Sequence, residues 1–465
     1  MTDWNLSTLL LDHPAEDGSD LLHGSNRTWT AGEARTEARD LAGQLRGAGV
    51  ELGEAVAVHL PNGPEVVIAM TAIWLVGAVF VPVNNRLPDP EVERILADTD
   101  PSVVIGVNGL VERPGEHTRY DPGVALVLWT SGTSGNPKPV LHTHAAYVEL
   151  LDRVLGPLQG GSAKAARKPA ANLIPVSMAL NAGVYNAMFG MRAGAPLVIM
   201  DRFSAQGFIE LVQRHAIRSS VLPPAAMNEL LDQEIDDLSP LRYIRSITAP
   251  LTPVLARRFT ERFGVIVLNG YGQSEIGEVI GWTAADAKSH PDKIGAVGRP
   301  HPGVDIRIDA PDDNGVGELL VNPPSRATGY ASDDDLADRL TADGFVRTGD
   351  LARVDNEGFV WIEGRLGDVI NRGGNKVFPA HVEEALMAVD GVVDAAVVAG
   401  PDERLGEIPI AFVVTDRDVS DDELETTCRT HLAPYKVPDS YQHVESLPRN
   451  EIGKILRRDL IARLE

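Results

Sequence analysis

The chain has 465 residues, 43% of them hydrophobic and 23% charged, and a net charge of −24 at pH 7. That length exceeds the roughly 250–300 residues that one core usually organises, so two or more domains are expected. The acidity argues against a nucleic-acid surface, which needs clustered basic residues, and the single cysteine, Cys428, excludes intrachain disulfides and multi-cysteine zinc sites.

The first residues, Met1-Thr2-Asp3-Trp4-Asn5, are polar and lack the basic-then-apolar profile of export, which makes a cytoplasmic protein the expectation. From Trp29 to about Thr99, helical patterns alternate with β-rich runs. Thr30-Ala31-Gly32-Glu33 has the form of a capping box opening a helix, which Gly47 and Gly49 can end. Ala55–Leu60 follows as an apolar strand. Val66–Val83 is uncharged and nearly long enough to span a bilayer, but Gly77 and Pro82 interrupt it. A buried helix ending near Gly77, followed by a core strand, fits it better than a membrane span.

Further β-type runs are Val103–Ile105, Pro196–Ile199, Ser219–Leu222 and Val265–Leu268. Such alternation indicates α/β layers with a largely parallel sheet. Between two of these runs, apolar Val124–Leu128 leads into Trp129-Thr130-Ser131-Gly132-Thr133-Ser134-Gly135-Asn136-Pro137-Lys138. A helix pattern follows, with Thr143 as N-cap and Val148, Leu151 and Leu155 at helical spacing. A strand, a loop of small hydroxyl residues and a helix suit the gripping of a phosphate chain, because successive N–H groups can converge on an anion. A plain Gly/Ser surface turn explains the loop alone equally well. It is not a Walker loop, which needs Gly-Lys-Ser/Thr, since Lys138 lies between Pro137 and Pro139.

From about Gly298 the pattern changes to short strands and turns, including Val304–Ile308 and Gly317–Val321. A boundary is expected at Gly364-Arg365-Leu366-Gly367-Asp368, followed by an α+β module of about a hundred residues. In it, Pro379 opens a helix that Gly391 can end, and Ser420-Asp421-Asp422-Glu423 reads as a second capping box.

Four stretches, in order, resemble motifs of the adenylate-forming superfamily, which comprises acyl- and aryl-CoA ligases, luciferases and peptide-synthetase adenylation domains. The first is the loop Thr130–Lys138. The second is Asn269-Gly270-Tyr271-Gly272-Gln273-Ser274-Glu275. The third is Arg347-Thr348-Gly349-Asp350 together with Gly364-Arg365, and the fourth is Pro448-Arg449-Asn450-Glu451-Ile452-Gly453-Lys454-Ile455. The resemblance covers nearly the whole chain and is closest to acyl-CoA ligases.

It implies a large N-terminal domain (1–364) of layered α/β subdomains plus a distorted β-barrel, and a small mobile α+β C-terminal domain (365–465). It implies ATP, Mg²⁺ and CoA as cosubstrates and cofactor, and activation of a carboxylic acid to acyl-AMP before transfer to CoA. A homodimer is compatible with it. By the same resemblance Thr130, Ser131, Gly132, Thr133, Ser134, Gly135 and Lys138 hold the phosphates. Ala249, Pro250, Asn269, Gly270, Tyr271 and Gly272 border the adenine, and Asp350 and Arg365 meet the ribose. Glu275 holds Mg²⁺, with Ser274 in place of the family's threonine. Lys454 bridges carboxylate and α-phosphate as charge builds between them. Gly367 marks the hinge, and Gly373 and Gly374 line the CoA passage. Ser177, Met178, Asn181, Tyr185 and Ile276 form the acyl pocket, which carries no acidic residue to greet an amino group.

Two departures stand out: Pro139 replaces the glycine after the loop lysine, and Gly367 the usual hinge aspartate or lysine. They leave open an enzyme that takes a preformed adenylate, or one that passes the acyl group to a carrier protein or an amine. A non-catalytic nucleotide-binding protein is the remaining alternative, and the joint presence of Glu275, Asp350, Arg365 and Lys454 counts against it.

Overall fold

The computed structural model describes residues 5–129, 138–159, 169–235, 237–331, 336–449 and 454–464. The phosphate-loop residues Thr130, Ser131, Gly132, Thr133, Ser134 and Gly135 lie outside them.

Among the described residues, two seven-stranded sheets form the larger part of the fold, the first mostly parallel and the second with a parallel centre and antiparallel strands at both edges. One runs in the order Ile266–Leu268, Tyr243–Ser246, Ser219–Leu222, Asn172–Ile174, Leu197–Ile199, Asp20–His23, Thr28–Thr30. The other runs Gly329–Tyr330, Pro139–Thr143, Val124–Trp129, Val79–Pro82, Ala55–His59, Val103–Gly106, Gly109–Glu112. A shared core packs their facing sides through the helices Ala31–Gly47, Pro64–Leu75 and Asn181–Arg192.

Local chemistry accounts for these helices. Thr30 Oγ1 accepts from Glu33 N at 3.2 Å while Glu33 Oε2 accepts from Thr30 N at 2.9 Å, the reciprocal box read from the sequence. That helix buries Ala31, Ala34, Ala38, Ala42 and Leu45, a stripe of mainly small residues that admits a close neighbour. The neighbour is Pro64–Leu75, which after the exposed Glu65 is almost wholly apolar and buried from Val66 to Trp74, with Trp74 Nε1 donating to Ala125 O at 2.8 Å. Among the described residues no helix is long and apolar enough to cross a membrane.

Antiparallel sheets follow. The hairpin Gly270–Gln273 and Gly277–Gly281 pairs with Arg299–Pro300, and Asp305–Asp309, Gly317–Asn322, Val346–Val354 and Val360–Arg365 form a four-stranded sheet. Both contribute to one apolar cluster that includes Ile276, Leu319 and Val360. Arg365 ends the last of these strands, opposite Asp350. After the turn Leu366–Asp368, a five-stranded sheet begins at Ile370, built on the long pair Val392–Asp402 and Gly406–Thr415.

Two sequence readings are refined here. Ser420 caps its helix, but the Glu423 carboxylate turns to Arg417 at 2.6 Å instead of completing a box. The helix Pro379–Leu386 stops before Gly391, whose φ of 88° serves the turn into strand Val392–Asp402.

Candidate active site

The second and third motifs meet at Asp350. Strand Val346–Val354 sets this buried carboxylate in place: Thr348 Oγ1 donates to Leu319 O at 2.7 Å and accepts from Asp350 N at 3.1 Å. Tyr271 Oη and Gln273 Nε2 donate to Asp350 Oδ2 at 2.5 and 2.9 Å, and Arg365 Nε lies 3.0 Å from Oδ1. The phenol is pushed well above its ordinary range by burial and then by the Asp350 charge, so it remains a donor. A carboxylate offers about four acceptor positions, and these contacts occupy three.

The network continues toward Lys138. Gln273 Oε1 accepts from Arg339 Nη2 at 2.6 Å, and Arg339 Nη1 donates to Glu275 Oε1 at 2.6 Å. Tyr330 Oη also donates to Glu275 Oε1, at 2.8 Å, and the Lys138 ammonium stands 5.3 Å from the Tyr330 ring centroid. The sequence reading gave no role to Gln273, Tyr330 or Arg339. Gln273 lies inside the quoted motif, but nothing local marks Arg339, which reaches Glu275 only after 64 residues of chain have folded back.

Glu275 is therefore buried and paired rather than a free carboxylate. Among the described residues its Oε2 accepts no hydrogen bond, which leaves one oxygen for a divalent cation also held by phosphates. No three His, Cys, Asp or Glu side chains cluster as a metal cage among those residues.

The other motif residues take backbone roles. A Cβ on Gly272 would come within 2.2 Å of Gly277 O, so the hairpin can close only with glycine there. Asn269 Oδ1 accepts from Gly270 N at 2.9 Å and shapes the entry to the hairpin. The backbone of Ser274 faces His142, whose buried ring is pushed down to about 4, chiefly by desolvation, and stays neutral. Ala249 N donates to Ile247 O at 2.9 Å, forming a three-residue turn that holds Thr248 at φ 71° just before Pro250. A β-branched residue there is strained by about 1–3 kcal/mol. Pro139 starts its strand opposite Trp129 and uses its carbonyl to accept from Ala331 N at 2.8 Å. The start of a strand is a position where the missing N–H is tolerated.

Lys454 joins this frame from the far end of the chain. Arg449 and Ile455 pair across the loop that carries it, and Arg457 anchors the following helix to Glu383 at 2.5 Å. The Lys454 ammonium lies within electrostatic reach of Arg365, Asp350, Asp368 and Arg457. Burial first, and then Arg365, pull its pKa down to about 8, against the opposing pull of Asp350 and Asp368.

Gly373 and Gly374 are in a different place. They form the two-residue tip of an exposed hairpin, Ile370–Arg372 with Asn375–Val377, at φ 56° and 92°. Two consecutive positive φ values by themselves favour Gly-Gly. Their hydrogen bonds go to Leu405 O and Asn371 Oδ1, not to the network around Asp350. Gly367 has open space where a Cβ would stand, so packing does not require glycine at that position.

The acyl candidates divide. Met178 and Ile276 are fully buried in two separate cores, whereas Ser177, Asn181 and Tyr185 keep some accessible surface. Asn62, unremarked in the sequence, holds their segment: Nδ2 donates to Val176 O at 3.2 Å and Oδ1 accepts from Met178 N at 2.7 Å. Asn181 Oδ1 accepts from Tyr147 Oη at 2.9 Å. Arg153, its side chain wholly buried, ties the helix after the phosphate loop to Ile276 O and Glu278 O at 3.4 Å each.

The chain belongs to the AMP-binding enzyme family: that family's model matches residues 12–122 and 112–331, and the model of its C-terminal domain matches residues 381–454. Among curated relatives it is 31% identical to feruloyl-CoA synthase of Amycolatopsis sp, over 94% of each chain. It is 28% identical to the long-chain-fatty-acid–CoA ligase FadD13 of Mycobacterium tuberculosis, covering 89% of this chain and 88% of that one. Its fold superposes on ATP-bound MatB from Rhodopseudomonas palustris with a TM-score of 0.87, at 22% identity, covering 100% of this chain and 99% of the other.

Proposed function

We propose that the chain is an AMP-forming acid–thiol ligase that activates a carboxylic acid with ATP and passes the acyl group to CoA. The observation that carries this reading is the convergence of Tyr271, of Asp350 with Arg365, and of Lys454, from three motifs distant in sequence, on one buried polar frame. In this reading Asp350 receives the ribose hydroxyls and Tyr271, with Ala249 and Pro250, flanks the adenine. Lys138 meets the phosphates as a point charge. Both reactants are anions, so positioning and charge neutralisation do most of the catalytic work.

Lys454, near half-protonated at pH 8, gains a reason to hold its proton when an α-phosphate arrives beside it. It then stabilises the charge that builds as the carboxylate attacks. Glu275, through its remaining oxygen, would help hold Mg²⁺, which when bound neutralises the phosphate charge and orients the leaving pyrophosphate.

We further propose a domain division at residues 364 and 365, about which the C-terminal part turns between the two half-reactions. Gly373 and Gly374 would then line the passage for the CoA thiol, which is consistent with their lying apart from the frame while Lys454 occupies it. A second reading, in which adenylation is weak and a supplied acyl-AMP is the true substrate, rests on Pro139 at the mouth of the phosphate loop.

One experiment separates the two readings. Incubation with ATP, Mg²⁺ and a panel of acids, with and without CoA, is followed by mass detection of acyl-AMP and acyl-CoA. Formation of both products supports the ligase. Thioester from supplied acyl-AMP, with no adenylate from any acid, supports the second reading. Neither product would overturn both.

A further inference from the structure

A charged cluster lies one step beyond the adenylate frame, against the acyl candidates. The strand Tyr243–Ser246 carries Arg245 four residues before Ala249, and the hairpin sets Glu278 opposite Gly272. Arg245 and Glu278 are in direct contact, and His301 Nε2 lies 3.0 Å from Glu278 Oε1. The helix Asn181–Arg192 lays Tyr185 and Phe189 against the guanidinium, which stands 6.0 Å from the Phe189 ring centroid.

The backbone makes room for this cluster. A Cβ on Gly281 would lie 2.8 Å from Glu278 Oε1 and 2.9 Å from His301 Cε1. Burial is the largest influence on both Arg245 and Glu278 and opposes ionisation of each. For Glu278, Arg245 and His301 outweigh burial and keep the carboxyl below its usual range, and the pair is ionised. Yet Arg245 keeps 24% and Glu278 16% of its side-chain surface accessible. Tyr185, from the acyl candidates, lies against the same two charges.

We propose that this cluster is the far wall of the acyl cavity, and that the activated acid ends in a neutral hydrogen-bonding group such as a hydroxyl, carbonyl or amide. The proposal rests on the ligase reading above for the identity of the cavity. A plain alkyl end would strip water from an ion pair and return no hydrogen bond, a desolvation loss that mutual attraction does not recover. A second carboxylate would meet the Glu278 carboxylate as well as the Arg245 guanidinium, so repulsion from one is set against attraction to the other. A neutral polar end can accept from the guanidinium or donate to the carboxylate without unbalancing them. Sites built to hydrogen-bond a substrate group discriminate strongly against analogues lacking it, because their own polar atoms are then left unpaired.

The test uses the full-length wild-type chain and three acids of equal length, ending in a hydroxyl, a methyl or a carboxylate. Two readouts are taken: kcat/KM for pyrophosphate release and calorimetric affinity for the free acid. The hydroxy acid should lead both others by about tenfold or more in each readout. Glu278→Gln leaves Arg245 uncompensated and should move the preference to the dicarboxylic acid by about tenfold. A wild-type lead for the methyl-ended or the carboxylate-ended acid overturns the proposal even if the variant does not fold. Absence of pyrophosphate from every acid would overturn the ligase reading alone, since the calorimetric ranking still decides this one.

Discussion

The frame around Asp350 and Glu275, proposed to hold the nucleotide, and the surroundings of Ser177–Tyr185, proposed to hold the acid, are built by opposite means. Around Asp350 and Glu275, side chains from four separate segments form one continuous polar chain in which each carboxylate already has partners. Around Ser177–Tyr185 the contacts among the described residues are separate braces: Asn62 holds the backbone of Val176 and Met178, Tyr147 donates to Asn181, and Arg245 and His301 meet Glu278. The difference follows from what each must hold. A nucleotide presents a fixed set of hydroxyls and phosphates, so a rigid, pre-satisfied frame can be aimed at it. An acid chain offers mainly shape, and its wall needs polar groups only where the substrate has one.

The comparison can be broken most severely at Lys454. Lys454→Ala should lower the rate of pyrophosphate release about 10²–10³-fold, while thioester formation from supplied acyl-AMP is spared. Equal loss in both assays would remove the lysine from the first half-reaction. Next in size is Arg339→Met, which strands the buried Glu275 without its counter-charge. Denaturant unfolding should register a loss of about 3–5 kcal/mol, part of it recovered by adding Glu275→Gln. An additive double mutant would mean that the two groups do not depend on each other.

Gly373→Trp, on the hairpin outside the frame, should cut acyl-CoA yield about tenfold or more and leave pyrophosphate release intact. Unchanged yield would detach this hairpin from the CoA step. The pH profile of kcat/KM for pyrophosphate release gives a milder test. Lys454 must be protonated, and its pKa in the free protein is lowered to about 8. Activity should therefore be held below that pH and fall about tenfold per unit above it, a limb that Lys454→Ala should lack. The smallest effect is expected from Thr248→Gly, which relieves the φ 71° turn and should raise stability by about 1 kcal/mol in thermal unfolding. A destabilised variant would mean that the threonine side chain contributes more than its backbone costs.

Much of the fold was legible because its signals are local. The Thr30–Glu33 capping box, the Thr143 cap and the alternating strands each depend on residues a few positions apart, and they form as read. Val66–Val83 was legible as helix then strand because Gly77 and Pro82 lie inside it. Glu423 shows where such reading ends: its spacing suits a box, yet Arg417 outcompetes the backbone N–H for it. Arg339 is the extreme case, an arginine in an unremarkable stretch that becomes the partner of Glu275.

The sequence by itself determined the family and the order of the four motifs, because spacing and residue type survive without any knowledge of contacts. Only the tertiary structure decided which charges face one another. It paired Glu275 with Arg339, set Lys454 within reach of Asp350 and Arg365, and brought Arg245 to Glu278. Electrostatic energy depends on distance and on how much water is excluded, and neither is a property of position along a chain.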